Sequence, residues 1–599
     1  MIYNWTENLS PMIGVPMLDI PAGQDLPQEL HPRQSYNDKL IELGQLVSSN
    51  HQQYYISQLS NPTEIQLATI SRLVKLEQHK FKALFNNESP ECRRKIDVDI
   101  SELEIAINEW SRGGDTNGDL AAYNEQYKTI SIPASATHMH EDDYFAYWRL
   151  AGNNPTSLRG TTTLPDNFPL TEEQYQLVMG SDDSLSLALK EKRIYMLDYS
   201  NINDATAEQG YSKPVSDTDN KPVIGYSYAA MAAFAVSKKD RRLKSVAIQC
   251  GQNSEDNNPM FLALNDPEHY WGWERAKMVI QAADKTEHQL ANHLGLTHLL
   301  CEAFAIATIR KLKSGHPVYD LLISHFEGTN RINHNATLAL LGPGQFVDTL
   351  MAAALADLAK TSIDIRLNYN FYDHFLPTEL KLRGVDDVNA LPEYPYRDDG
   401  LLIWNAILEF VNSYLSHFYV TSAVIKEDQD LNNWMDDLLE NGKIKGFKKI
   451  TTRDELAQIL TMIIFTSSAQ HAAVNFTQPS WMMYAPCMVG TLNYHKPTAI
   501  KNATREEWLK MLPVLTRAMK KIDIYTVLGN LYNGYLGEYV SHDGNAIFDA
   551  VSAPAVYKII QDFRKNLQNI ESTIQRNNTV RQIPYETLLP SKIPASINI

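Results

Sequence analysis

A row of histidines is set in strongly apolar, helix-forming sequence. His288, His293 and His298 recur at every fifth position, and a second such stretch carries His471 and Asn475. Helices that are apolar on most faces lie in the interior of a large protein, so these imidazoles should be buried. A buried imidazole needs a partner for its ring nitrogens. The sequence therefore predicts a polar site within a helical core.

Helix geometry tests whether these side chains can share that site. His471 and Asn475 lie only ~40° apart at about 100° per residue, so both face one way. His293 and His298 lie ~140° apart on a regular α-helix, whereas a π-type widening brings them onto one face. The five-residue spacing is thus either incidental or the mark of a widened helix that gathers ligands.

The residue types leave the identity of a metal open. Each histidine taken alone is more typical of a satisfied core residue than of a ligand. Imidazoles with neutral oxygen donors and no cysteine suit iron, zinc, copper and nickel about equally. From the residues alone, the prediction is a mononuclear metal site with an open coordination position and apolar walls.

The hydrophobic patterns favour a mainly α fold. Residues 35–59 and 64–85 carry apolar side chains at helical spacing, whereas 193–199 and 245–249 are short β-branched or aromatic runs. After Trp271 the chain is mainly helical to its end. We predict one domain over 1–599, a large helical body with a small β-sheet subregion and a helical N-terminal extension. Its parts are a helical region 1–110, a strand-rich region 190–250 and a helical, metal-binding core 271–599.

Composition limits which partners this chain can bind and which cellular compartment it fits. The net charge of −17 and the pI near 5.5 disfavour nucleic acid and anionic membranes, so we expect no nucleic acid and at most weak membrane contact. The stretch 456–474 carries too many polar residues for a membrane span. No basic or apolar leader opens the sequence, and the four cysteines form no CxxC pair. These features predict a cytoplasmic chain, although a mature periplasmic or extracellular protein would share them.

Residues 115–119, with the sequence DTNGD, resemble the start of a calcium-binding loop. The sharp-turn glycine of such a loop is replaced by Leu120 and its bidentate glutamate by Gln126. A polar turn is therefore favoured over a calcium site.

Longer motifs resemble those of lipoxygenases. The clearest is WERAK at 273–277, followed by His288-Gln289, His293, Thr297-His298 and, further on, His316-Pro317 and His325-Phe326. Further matches are RLAGNNP at 149–155, Leu376-Pro377, Arg383-Gly384, YPYRDDGL at 394–401, HAAVNF at 471–476 and the final Asn598-Ile599. They run in family order from about residue 145 to the last residue, so the chain is identified as a member of this family.

The resemblance implies a ligand set for one non-haem iron per chain, with the sixth position left open. The implied ligands are His293, His298, His471, Asn475 and the terminal carboxylate of Ile599. It further implies that Gln289 and Gln478 link the ligand helices to the substrate pocket. The family does not use the position of His288 as a ligand.

The implied activity is that of a dioxygenase acting on polyunsaturated fatty acids. The iron removes a bis-allylic hydrogen and O₂ adds to the resulting radical, giving a fatty-acid hydroperoxide. No acid–base side chain is needed, since the cofactor carries the difficult chemistry. Two alternatives remain: a hydroperoxide isomerase on the same fold, and an inactive lipid-binding relative, which would be expected to have lost a ligand.

Several segments depart from the family pattern. The N-terminal hundred residues are predicted to be helical, as in bacterial relatives, rather than a β-barrel module. The motif at 332–337 ends in Thr337 instead of arginine, Pro479 replaces the usual tyrosine, and 481–488 follows no common pattern. A helix over 347–363 should carry the small residue that influences oxygenation, with Ala356, Ala359 and Ser362 as candidates. The position and stereochemistry of oxygenation do not follow from the sequence.

Overall fold

The computed structural model describes residues 3–20, 26, 30–85, 90–110, 119–213, 223–254, 257–541 and 543–599. Helices dominate these residues and strands are few, which confirms the mainly α fold with a small sheet. In these ranges, no helix combines the length and the apolar character that crossing a membrane requires.

Twenty-four α-helices are described. They are α1 (Gln34–Ser57), α2 (Glu64–Phe85), α3 (Pro90–Trp110), α4 (Leu120–Asn124), α5 (Ser135–His138), α6 (Asp142–Ala151), α7 (Glu172–Met179), α8 (Leu185–Lys190), α9 (Pro267–Glu287), α10 (Leu299–Lys311), α11 (Pro317–Leu322), α12 (Thr329–Ala339), α13 (Phe346–Leu350), α14 (Leu355–Asn368), α15 (Leu376–Leu382), α16 (Pro395–Phe418), α17 (Ser422–Glu427), α18 (Gln429–Glu440), α19 (Arg453–Phe465), α20 (His471–Asn475), α21 (Gln478–Met482), α22 (Arg505–Met511), α23 (Leu515–Leu528) and α24 (Pro554–Asn578).

The described strands form three antiparallel sheets. They are β1 (Asn4–Thr6), β2 (Met17–Asp19), β3 (Arg159–Thr161), β4 (Ile194–Asp198), β5 (Ala207–Lys213), β6 (Val223–Ser227), β7 (Met231–Val236), β8 (Leu243–Gln249) and β9 (Met260–Leu262). The largest has the order β3-β4-β7-β8-β9, while β1-β2 and β5-β6 are two-stranded. Strands β4 and β8 confirm the two strands predicted from sequence. All six residues of β7 are buried, so this strand forms the centre of the sheet.

One long helical rod runs through the core from Pro267 to Lys311. It begins where the Asp266 side chain accepts hydrogen bonds from two backbone N–H groups of the first turn, with Pro267 in the first helical position. Helix α9 continues into a π-helical segment, His288–His298, and then into α10. We call His288–His298 the first π-segment. A second rod joins α19, a second π-segment (Thr466–Gln470) and α20.

A buried polar network centred on Asp284 ties the motif at 149–155 to the first rod. The Asp284 carboxylate pairs with Arg149 at 3.1 Å and accepts hydrogen bonds from Asn154 at 3.1 Å and Tyr199 at 2.6 Å. Arg149 also donates to Gln281 at 2.6 Å. Because the pair is buried, these hydrogen bonds must offset its desolvation. The network fixes α6 and the strand region against the rod that carries the histidines.

The N-terminal region largely follows the prediction. Helices α1 and α2 confirm the helices predicted at 35–59 and 64–85, but the pair β1–β2 was not predicted. Residues 115–118 of the calcium-like sequence lie outside the described residues. Asp119 is described, and it caps α4 by accepting from the Leu120 N–H at 2.7 Å.

The helix expected over 347–363 is wrong as a single element. Two helices, α13 and α14, are separated by an extended turn over 351–354. The carbonyl of Leu350 accepts a hydrogen bond from the Thr491 hydroxyl at 3.0 Å, and Ala352 packs on Gly225. These tertiary contacts override the helical propensity of the alanines. Within α14, Ala356 is exposed, whereas Ala359 and Ser362 are buried.

The C-terminal tail is anchored by a buried ion pair before it enters the core. Both oxygens of Asp399, on α16, accept hydrogen bonds from Arg581, at 2.6 and 2.7 Å. Asp399 is fully buried and Arg581 is 6% exposed. Burial raises the pKa of Asp399 to about 6 although the guanidinium opposes this effect. The carboxylate thus depends on Arg581 for its charge compensation.

Removing Arg581 should destabilise the chain strongly. In an Arg581→Met variant, the buried Asp399 loses its partner, which costs about 3–5 kcal/mol in comparable pairs. Urea and thermal unfolding would show a clear loss relative to Arg576→Met, an exposed arginine at the end of α24. Equal stability of the two variants would contradict this role.

Candidate metal centre

Three histidines converge in the core where the two rods cross. His293 and His298 come from the first π-segment, and His471 begins α20. One ring nitrogen of each lies within 4.8 Å of the others, and the Nε2 atoms of His293 and His298 are 3.2 Å apart. The π-widening predicted from the five-residue spacing is confirmed.

The environment keeps these imidazoles uncharged. Burial lowers the pKa of His298 to about 4 and holds the pKa of His293 and His471 well below the usual range. Within the described residues, neither ring nitrogen of His471 has a hydrogen-bond partner. Nitrogen lone pairs that converge without an acidic partner fit a bound cation, because a neutral imidazole is a metal ligand. The donor set therefore fits a metal ion.

The neighbouring helix α14 supports the first π-segment. The Ser362 hydroxyl donates to the carbonyl of Leu290 at 2.7 Å. Gly295 lies at the same contact, and a Cβ there would be 3.1 Å from the Leu290 carbonyl oxygen and 3.5 Å from that of Ser362. The small residues at this crossing let α14 approach the widened turn closely.

A chain of hydrogen bonds orients His298. Its Nδ1 lies 2.8 Å from the Asn333 side-chain oxygen, which requires Nδ1 to carry the proton and leaves Nε2 with its lone pair. The Asn333 amide donates to the His298 carbonyl at 3.1 Å and to Glu302 at 2.7 Å. Glu302 accepts in turn from the Leu18 N–H at 3.0 Å. The strand pair near the N-terminus thus contacts the metal centre through two side chains.

A second chain of amides runs from Gln289 to Asn475. Gln289 donates to Gln478 at 2.8 Å, and Gln478 donates to the Asn475 side-chain oxygen at 2.7 Å. The Asn475 amide nitrogen donates to the Leu528 carbonyl at 2.7 Å. Asn475 and Gln478 are fully buried, while Gln289 is half-buried. The structure therefore joins the two π-segment rods through the amides named in the sequence analysis.

His288 lies outside the converging group. Its Nε2 is 2.8 Å from the Val474 carbonyl, to which it donates, and its ring stacks on His293 with centroids 5.6 Å apart. It connects the two rods and is not one of the three converging histidines.

The last residues are threaded into the same core. Four hydrogen bonds hold them, from His325 to Ala595 O, from Ser596 to Glu327 O, from Thr329 to Ile597 O and from Asn598 to Asn533 O. Ile599 is 2% exposed. Its main chain lies close enough to His471 to raise the pKa of that imidazole, although burial lowers this pKa by more. The structure places Ile599 beside the histidines.

A separate cavity of about 470 Å³ lies between the N-terminal helices and α13 and α23. Its walls include Val47, Ile100, Leu340, Phe346 and Ile524. None of the three converging histidines lines it. It is therefore distinct from the metal centre.

Two supporting residues carried no role in the sequence reading. Asn333 lies in the motif at 332–337 and Glu302 lies on α10, but their partners are 31 to 35 positions away along the chain or near its N-terminus. The available signal was Glu302 itself, a lone acid in the largely apolar sequence of α10. The second π-segment was likewise unpredicted, since no five-residue repeat marks it.

Comparisons with known proteins agree with this arrangement. Residues 115–586 match the lipoxygenase family. The chain is 42% identical to a linoleate 9/13-lipoxygenase of Pseudomonas aeruginosa, over 83% of this chain and 72% of that protein. It is 33% identical to an allene oxide synthase-lipoxygenase protein of Plexaura homomalla, over 83% of this chain but 47% of that longer protein. An anaerobic crystal structure of a lipoxygenase in complex with arachidonate covers the whole chain with a TM-score of 0.80 at 27% identity, and 80% of its own length is matched. This chain belongs to the lipoxygenase family.

Proposed function

We propose that the centre holds one non-haem iron per chain. The ligands are His293, His298, His471, Asn475 and a carboxylate at Ile599. The observation that carries this proposal is the convergence of three buried, uncharged imidazoles with no acidic side chain to pair them. Their donor types suit several transition metals, and membership of the lipoxygenase family favours iron among them.

The residues of this chain hold and tune the metal rather than transfer protons. Iron bound here supplies the redox chemistry that removes a hydrogen atom from a bis-allylic carbon. Burial keeps the imidazoles neutral, and the Asn333 side chain holds His298 in the tautomer whose Nε2 is free to coordinate. The chain Gln289–Gln478–Asn475 couples the ligand on α20 to the half-buried amide on the first rod.

The substrate we propose is a polyunsaturated fatty acid, with O₂ as co-substrate and a hydroperoxide as product. A relative is named for linoleate, and a structural neighbour was solved with arachidonate. Burial of the acyl chain in an apolar channel contributes about 0.8 kcal/mol per CH₂, which is enough to hold a long chain without surface charge.

Oxygen uptake separates this function from its alternatives. With linoleate in aerated buffer, a dioxygenase consumes O₂ and forms conjugated diene. A hydroperoxide isomerase acts only when a fatty-acid hydroperoxide is added, and an inactive lipid-binding relative does neither. We expect O₂ uptake with linoleate by the iron-loaded protein.

Loss of one imidazole should remove metal and activity together. His298→Ala deletes a donor from the buried centre, so iron content and O₂ uptake should both fall to background. His288→Gln is the matched control, since it lies in the same π-segment and keeps a donor for the Val474 carbonyl. An active, iron-replete His298→Ala enzyme would rule out the assignment.

The Asn333 side chain should tune metal affinity without being a ligand. In Asn333→Leu, His298 loses the acceptor that fixes its ring, and outer hydrogen bonds of this kind change metal affinity about 10- to 100-fold. Iron retained against increasing chelator measures this change. Asn335→Leu, a buried residue two positions along α12, should retain iron as the wild type does. The same loss in both variants would indicate a general packing defect instead.

Residues appended after Ile599 should disrupt the centre. They replace the carboxylate by a neutral amide and demand space in a close-packed core. We expect a short C-terminal extension to remove most of the iron and the turnover, while the same peptide at the N-terminus is tolerated. Full iron occupancy with an intact extension would show that this carboxylate is not a ligand.

A further inference from the structure

Two buried lysines share one aromatic ring near the metal centre. Lys285 lies on α9 and Lys521 on α23, and each is 1% exposed. Their Nζ atoms lie 5.9 and 6.0 Å from the centre of the Tyr525 ring. The two ammonium groups therefore approach each other in the interior, from two different helices.

No described carboxylate compensates these charges. Lys285 Nζ has no hydrogen-bond partner among the described residues, and Lys521 Nζ donates to the Met488 carbonyl. A third cation, Arg517, lies one helical turn before Lys521 and donates to Asn493 at 3.1 Å. Burial, followed by the charge of Arg517, lowers the pKa of Lys285 to about 7, and burial and Lys285 hold that of Lys521 well below its usual range.

The acid that precedes Lys285 in sequence does not neutralise it. Adjacent residues on an α-helix project about 100° apart, so Asp284 and Lys285 face different neighbours. Asp284 is already occupied by Arg149 and Tyr199. Burying ammonium groups without a counter-charge costs several kcal/mol per ion. Burial without a counter-charge therefore favours the neutral amines, and a bound anion would favour their charged, protonated form.

The position of the pair relates it to the metal centre. Lys285 is four residues before Gln289 and eight before His293. Eight residues correspond to about 12 Å along the helix axis at 1.5 Å per residue. Burial raises the pKa of the Tyr525 hydroxyl, and a hydrogen bond with the Gln289 side chain opposes this effect. Gln289 also donates a hydrogen bond to Gln478. Polar groups thus lead from the lysines to the amide chain of the centre.

The segment that covers the lysines is one that departs from the family pattern. Met488, whose carbonyl accepts from Lys521, ends the unusual stretch 481–488. Gly490 follows with φ +73, and a Cβ there would lie 2.5 Å from Lys285 Nζ. The backbone of Gly490 therefore packs directly on the ammonium group, in a position that only glycine allows.

We propose that Lys285 and Lys521 bind the carboxylate of the fatty acid, an inference that rests on the proposed function. Two lysine donors match the two oxygens of one carboxylate, and charge-assisted hydrogen bonds of this type are strong. The carboxylate then lies deep in the protein, with the acyl chain extending from it past the metal. Free fatty acids are bound in this way, whereas esters lack the charge that the lysines recognise.

The test compares a free acid with its ester in the iron-loaded enzyme. Lys285→Met and Lys521→Met each replace the amine by an unbranched apolar side chain that is one atom shorter. We expect kcat/KM for linoleate to fall about 10- to 100-fold, the size of one lost charge-assisted hydrogen bond. The value for methyl linoleate should not change. Lys360→Met, at an exposed lysine on α14, controls for net charge.

A binding arm keeps this test independent of turnover. Calorimetric titration with oleate, which has no bis-allylic carbon, should show weaker binding to both variants than to the wild type. Iron content and melting temperature should hold, since loss of an unpaired buried charge does not destabilise. A wild type that binds oleate but consumes no O₂ with linoleate would reject the proposed function and leave the subsite supported.

Three results would overturn the subsite. One is equal loss on linoleate and methyl linoleate in both variants, which indicates a change of channel shape. Another is unchanged kinetics and oleate binding in both variants. The third is that inorganic phosphate raises the melting temperature of the wild type but not of the variants, and that oleate does not compete with phosphate for this site. That pattern assigns the site to a small inorganic anion.

Discussion

Three uncharged imidazoles are held with their ring nitrogens close together in the buried interior, and the surrounding helices are shaped to present them. One ring nitrogen of each histidine lies within 4.8 Å of the others, and the converging group that the described residues form contains no acidic side chain. A regular α-helix could not bring His293 and His298 together. The rod is therefore widened into a π-segment, and the second rod is widened just before His471. Both distortions occur where the converging histidines are presented.

Distant parts of the chain stabilise these distortions. Ser362 bonds a carbonyl of the first π-segment, while Asn333 fixes the ring of His298. The network on Asp284 fixes the same rod from the side of the sheet. Since each support comes from a different element, the centre forms only when these elements are folded together. The widened turns are therefore stable, because tertiary contacts compensate for the loss of regular helical hydrogen bonds.

Local sequence predicted what local geometry controls. The five-residue spacing of His293 and His298 predicted the π-segment, and short β-branched or aromatic runs predicted β4 and β8. The break between α13 and α14 could not be predicted, because it depends on Thr491 and Gly225, which are remote in sequence. The same holds for Glu302, whose partners are Asn333 and the Leu18 N–H. The family resemblance supplied ligand identities that spacing alone left open among several metals.

Charge along the first rod follows from which partners each residue can reach. Asp284 faces the sheet and is neutralised by Arg149, whereas Lys285 faces α23, where its neighbours include the Tyr525 ring and the cation Arg517. Two turns further on, the imidazoles carry no charge because burial opposes protonation. One helical rod thus presents three kinds of group in order: Asp284, whose charge is compensated, Lys285, whose charge is not, and the neutral histidines. The fatty acid proposed as substrate, with one negative end and a long neutral body, would satisfy both of the last two: its carboxylate would lie at the lysines, and its apolar carbons would extend toward the converging histidines.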